Sequence, residues 1–170
     1  MNLPSRLSLT VQAWVDAQSS GAETIQPLVS SWNLNEKFCA FEAFSAEDIE
    51  GMATKGYFGA CFDGRHVYFC PMRTDNHEYH GVVLRYDTHK NFQDRESYQA
   101  YDAGHTAGFE TCGYYGGAFD GRYVYFIPRK TPNGRHSRLL RYDTHGDFHA
   151  DLSWTAADAG RSHCSQGAGF

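Results

Sequence analysis

The chain carries nine histidines and five cysteines, the side chains best able to bind a metal or attack a substrate, so their spacing comes first. His77 and His80 lie three apart, a spacing used by zinc pairs, but no glutamate stands where a helical HExxH site needs its general base. His66, His105 and His163 fall in three separate segments. Convergence on a common axis would make them ligands, yet no local pattern demands it. Ser162-His163-Cys164 sets a thiol beside an imidazole; neighbours along a strand point to opposite faces, so this order does not imply an activated nucleophile. The cysteines at 39, 61, 70, 112 and 164 stand singly, without a Cys-x-x-Cys pair. That argues for free thiols rather than a zinc ribbon or redox couple. No Gly-x-Ser-x-Gly elbow, phosphate loop or dinucleotide fingerprint occurs. The reading is no metal site and no cofactor.

The elements that position these residues repeat. Residues 56–71, GYFGACFDGRHVYFCP, and 113–128, GYYGGAFDGRYVYFIP, are identical at eleven of sixteen positions, at an offset of 57. LRYDTH recurs at 84–89 and 140–145, and Phe92, Ser97 and Asp102-Ala103-Gly104 return as Phe148, Ser153 and Asp158-Ala159-Gly160, all at an offset of 56. Such self-similarity is the signature of a repeat architecture. Each copy reads as four strands: Tyr57–Asp63, His66–Pro71, Val82–Asp87 and Tyr98–Asp102, then Tyr114–Asp120, Tyr123–Pro128, Arg138–Asp143 and Trp154–Asp158. Asp-Gly between apolar runs predicts a type I′ hairpin turn. Residues 72–80 and 129–136 read as variable polar loops. Upstream, Phe41–Phe44 matches Tyr98–Tyr101, and Leu9–Val15 and Thr24–Val29 read as strands, with a short N-terminal helix as the open alternative. Residues 166–170 match 115–119.

A meander sorts its turns onto two ends. Asp63, Arg65 and Asp87, with their copies Asp120, Arg122 and Asp143, share one end, and their repetition assigns them to turn structure and Asp–Arg pairing. The other end varies between copies. Its loops offer Arg73, His77, Arg129 and His136, and the connections between copies add Lys55, Tyr57, His105, Glu110, Tyr114 and His163. These ten are the candidate ligand-binding residues.

The Gly pair, DGR turn, VYF strand and RYDT block resemble the kelch-like repeat of β-propellers. Over residues 55–160 they resemble more closely a bacterial repeat group with the wording GYxGxxFDGRYVYFxP…LRYDT. The resemblance implies an all-β chain of about three four-stranded propeller blades: residues 1–54 a degenerate first blade, 55–104 the second, 105–160 the third, and 161–170 a strand completing a neighbouring blade. The Gly pair here precedes the DGR turn, unlike in kelch repeats, so kelch ligand positions do not carry over. Closed propellers typically have 4–8 blades. The expected remedy is a homodimer of six blades, or a second blade-bearing chain. Composition is that of a globular domain, 41% hydrophobic and 15% aromatic over 170 residues. A net charge of −5 argues against broad nucleic-acid binding. No apolar run is long enough to cross a membrane, and no secretory signal is apparent, so a cytoplasmic location is expected. The expected function is a non-catalytic module recognising a glycan or protein through the variable loops. The alternative is a hydrolase or lyase with a central His/Glu/Tyr or metal site.

Overall fold

A computed structural model describes residues 43–162. Within them a short hairpin, β1 (Asp48–Ile49) and β2 (Met52–Ala53), precedes two four-stranded antiparallel sheets. The first is the meander β3 (Tyr57–Phe62), β4 (His66–Pro71), β5 (Val82–Asp87) and β6 (Tyr98–Asp102). The second consists of β7 (Tyr114–Phe119), β8 (Tyr123–Pro128), β11 (Arg138–Asp143) and β12 (Trp154–Asp158), with a separate small hairpin of β9 (Lys130–Thr131) and β10 (Gly134–Arg135) between β8 and β11. One helical turn, α1 (Ala159–Ser162), follows. The described residues are therefore all-β, and both sheets run in the strand order expected from the repeat. Phe44 lies outside any strand, and neither small hairpin was anticipated. Leu9–Val15, Thr24–Val29, Phe41 and residues 163–170 lie outside the described residues.

The Asp-Gly turns differ from expectation in type. Gly64 and Gly121 each have φ +103, whereas Arg65 and Arg122 keep negative φ. Positive φ at the first central residue alone is the II′ pattern, and only glycine meets that demand without strain. The aspartate before each glycine completes the turn. Asp63 Oδ1 accepts the amides of Arg65 (2.8 Å) and His66 (2.6 Å), and Oδ2 accepts the Tyr68 hydroxyl (2.8 Å). Asp120 does the same with Arg122, Tyr123 and Tyr125.

The first strand of each four-stranded sheet carries a bulge. On β3 the partners of β4 shift between Tyr57 and Ala60, and on β7 those of β8 shift between Tyr114 and Gly116. One extra residue reverses which face the following side chains occupy. Tyr57 accordingly packs on one side of the first sheet, while Cys61 joins the core on the other.

That other side is the inter-sheet core. Tyr68, Cys70 and Val83 of the first sheet pack with Val124, Phe126, Leu140, Tyr142, Phe148 and Trp154 of the second. Trp154 Nε1–H donates to the Phe148 carbonyl (2.9 Å), as the hydroxyl of its counterpart Tyr98 donates to that of Phe92 (2.9 Å). The outer side of the first sheet is covered by Phe44, Ala46, Ile49 and Met52. This segment follows the course of the connection between the sheets. Phe44 stacks on Tyr98 (4.9 Å) as Tyr101 stacks on Trp154 (4.8 Å). Thr54 and Thr111 bond back to the carbonyls of Ala46 and Ala103, and Glu50-Gly51 and Ala107-Gly108 share the same positive φ angles. Glu50 also accepts the Ala100 amide from the edge strand β6 (2.9 Å), blunting that edge.

Gly113 marks the closest backbone approach near the loops. Its φ is +76, a Cβ there would collide with the Lys130 carbonyl, and its own carbonyl accepts the amides of Arg129 and Lys130. Gly113→Ala is expected to cost about 3 kcal/mol or more. Gly121→Ala, which meets open space, should cost roughly 1–3 kcal/mol from backbone strain alone. Urea unfolding of both variants checks the order; a smaller loss at 113 would contradict the packing.

Candidate ligand-binding cleft

At one end of the sheets the repeated polar residues tie neighbouring turns together. Arg65 grips Asp87 with two bonds (3.1 and 2.7 Å), and Arg122 grips Asp143 likewise (3.2 and 2.7 Å). Thr88 and Thr144 donate to the Arg65 and Arg122 carbonyls (2.7 Å each). Hydrogen bonding to Arg65 holds the Asp87 carboxyl at about 2. Burial works against ionisation of Asp63, but the bonds from His66, Arg65 and Tyr68 outweigh it and keep its carboxyl well below the usual range. The carboxyls of Asp120 and Asp143 are lowered too, by the Tyr123 amide and by Arg122 respectively. His66 Nδ1 lies 3.4 Å from Asp63 Oδ2, so its ring belongs to this turn.

At the other end, three of the ten candidates meet. Tyr57, Arg73 and Arg129 line a cleft of about 280 Å³ together with Phe58, Tyr79 and Lys130. Short backbone bonds position its walls: the Gly56 carbonyl accepts the amides of Met72 and Arg73, just as Gly113 accepts those of Arg129 and Lys130. Tyr79 leans from the first loop onto Gly113 of the second repeat. The bulges turn Phe58 and Tyr115 out of their sheets, where they stack on each other at 4.6 Å, each about half exposed (47% and 50%). The Arg129 guanidinium lies 4.8 Å over the Tyr115 ring.

The remaining candidates do other work. Tyr114 is wholly buried, because the bulge directs it into the inter-sheet core, where its hydroxyl donates to the Arg138 carbonyl (3.2 Å). It cannot face a ligand at the loop surface. His136 donates from Nε2 to the Cys112 carbonyl (3.0 Å) and accepts the Arg138 amide at Nδ1 (3.2 Å). Burial and the Arg138 charge push its pKa down, favouring neutral imidazole. Glu110 pairs with Arg138 (3.3 Å). Lys55, His77 and His105 are exposed and none of them lines the cleft; His163 lies outside the described residues. His80 turns away from His77 to bond the Gly56 carbonyl (3.2 Å). Among the described residues no group of three or more His, Cys, Asp or Glu is placed to hold a metal ion. Cys61, Cys70 and Cys112 are buried free thiols, with burial pushing Cys70 up to about 12 and Cys112 up to about 11.

Phe58, Tyr79 and Tyr115 escape the sequence reading, whereas Lys130 stands beside Arg129 in a variable loop. The glycines at 59, 116 and 117 were the available signal for the first and third, since glycine inside a strand marks a bulge. The repeat offset of 57 also pairs Phe58 with Tyr115 and Arg73 with Lys130. No family model matches the chain, and no curated protein is similar to it.

The turn network has a pH consequence. Carboxylates with lowered folded pKa values stabilise the fold above their unfolded value of about 3.9, and that stabilisation is lost as pH falls through the folded value. For Asp87 the folded value is about 2. The wild type should therefore lose stability progressively below pH about 4. Asp87→Asn should be less stable at pH 7, with the gap closing as pH drops through the acid range. Urea midpoints measured across pH check this; a constant gap would refute it.

Proposed function

We propose that the two sheets are consecutive blades of a β-propeller and that the chain is a non-catalytic interaction module. It binds a glycan or protein ligand at the loop end of its blades, and a second copy of the chain completes the ring. The cleft is the observation that carries the binding reading: loops from two repeats meet in one concave place on rigid strands, with Phe58 in its wall and Tyr115 stacked on Phe58 beside it. Loops held by such a scaffold are where binding residues concentrate.

A comparison of the two repeats supports the oligomer. Tyr68, Cys70 and Val83 are fully buried against the second sheet. Beside them Arg85 lies 4.1 Å over the Phe148 ring and donates to the Tyr142 hydroxyl (3.2 Å). Their counterparts in the second sheet are Tyr125, Ile127, Leu139 and Arg141. Among the described residues no third sheet covers this face, and Ile127 is 44% exposed. Burying apolar surface is worth roughly 25 cal/mol per Å², so equivalent side chains favour equivalent cover. With residues 1–54 as a first blade, two copies make six blades, each covering the open face of the other.

Light scattering should give about twice the chain mass of 19.2 kDa. Ile127→Glu should yield a folded monomer with an unchanged circular dichroism spectrum. A wild-type monomer would remove the oligomer reading. On glycan and protein arrays, wild type should label a defined subset of ligands, and Arg73→Ala should lose those signals. An unchanged profile in that variant would remove the cleft as the binding site.

A further inference from the structure

The cations of the cleft differ from the paired arginines of the protein in what surrounds them. Arg65, Arg95, Arg122 and Arg138 each lie within ion-pair distance of a carboxylate. Arg73, Arg129 and Lys130 have none among the described residues, although the chain holds 20 acidic against 15 basic side chains. Three like charges gathered at one concavity repel one another, and a bound anion relieves that repulsion. Arg129 is also restrained. Its guanidinium is held over Tyr115 and lies 5.9 Å from the Phe58 ring centre, and it makes no side-chain hydrogen bond among the described residues. A guanidinium fork presented in this way suits a planar carboxylate, which takes two parallel bonds.

The aromatic pair adds a second requirement. Phe58 and Tyr115 present half-exposed flat rings beside the cations, a surface that suits the apolar face of a ring rather than an extended side chain. At about 280 Å³ the cleft falls just below the range of roughly 300–1,000 Å³ typical of sites for drug-sized ligands, so it accommodates one or two small rings. The repeat supplies a third clue. One aromatic and one cation recur per copy, Phe58 with Arg73 and Tyr115 with Lys130; Phe58, Arg73 and Lys130 line the cleft and Tyr115 stands at its margin, stacked on Phe58, so a ligand bearing a carboxylate on each successive ring matches this arrangement.

We infer that the cleft binds an acidic oligosaccharide built of uronic-acid units, its carboxylate held by Arg73, Arg129 and Lys130 and its ring set against Phe58 and Tyr115. This rests on the reading of the cleft as the binding site of an interaction module.

Titration calorimetry of the full chain with trigalacturonate, its trimethyl ester and hexaglutamate tests it. Trigalacturonate should bind saturably. Its affinity should fall about tenfold in Arg129→Ala, the scale of one lost charge-assisted hydrogen bond. Arg129→Lys should lose less, and raising salt from about 0.05 to about 0.5 M should weaken binding through screening. The ester and hexaglutamate should not bind. Equal binding of the ester would overturn the charge assignment and leave the module reading standing. Hexaglutamate binding as tightly would overturn the sugar assignment in favour of an acidic peptide. Failure of trigalacturonate while an array reports a neutral glycan or a protein would overturn this inference alone; silence in both experiments would overturn the module reading with it.

Discussion

The packing of one sheet face against the next governs everything else in the described residues. Tyr68 and Val83 reach across to Tyr142, Phe148 and Trp154, and Arg85 is trapped between them with its guanidinium over an aromatic ring and its donors taken by Gln99 and Tyr142. A half-buried guanidinium is tolerable here because its hydrogen bonds to Gln99 and Tyr142 replace those lost to water. The apolar burial makes the two sheets neighbours. That neighbourhood brings β3 beside β7, and with it the loop after β4 beside the loop after β8. The cleft is a consequence of sheet stacking, not a feature of either sheet alone.

Within that stack, the bulges decide which side chains work in the core and which face outward. Without an extra residue, Tyr57 and Cys61 would share a face, and so would Tyr114 and Ala118. With it, Cys61 enters the inter-sheet core, Tyr114 is buried, and Phe58 and Tyr115 are released at the point where parity reverses. Bulges commonly re-aim a side chain near a functional site. The two ends of the sheets are built on opposite principles. At one, each arginine is neutralised by an aspartate of the next turn, and Asp63 and Asp120 absorb the turn amides. At the other, Arg138 pairs with Glu110, while Arg73, Arg129 and Lys130 line the cleft near aromatic rings without an ion-pair partner among the described residues. The first arrangement stabilises the protein; the second leaves charge available to something that is not part of it.

Much of the fold was legible because its determinants are local. Alternating apolar residues, the Asp-Gly turns and the Asp-Thr turns set the limits of β4, β5, β6, β8, β11 and β12 residue by residue. The turn type differs from the expected I′ because the central pair is Gly-Arg rather than Asp-Gly, and of these only Gly64 and Gly121 have positive φ. The hairpin β9–β10 was hidden in a polar stretch, because two-residue strands carry no periodicity to detect. The candidate site was legible in part. Arg73 and Arg129 announced themselves as loop cations. Phe58 and Tyr115 looked like ordinary strand aromatics, and Tyr114 looked like a surface residue because it stands beside a variable connection.

The amino-acid order by itself determined the repeat, which is plain in the identity of its two copies, and the meander and turn chemistry, which depend on residues within one hairpin of each other. Tertiary structure alone decided which tyrosine is buried and which is offered, and which cations converge. Those outcomes depend on contacts between residues some 57 positions apart and on a one-residue change of register. Glycine at 59, 116 and 117 marks where a bulge can form but not which side chains it re-aims, and packing between repeats is felt only once both sheets have formed.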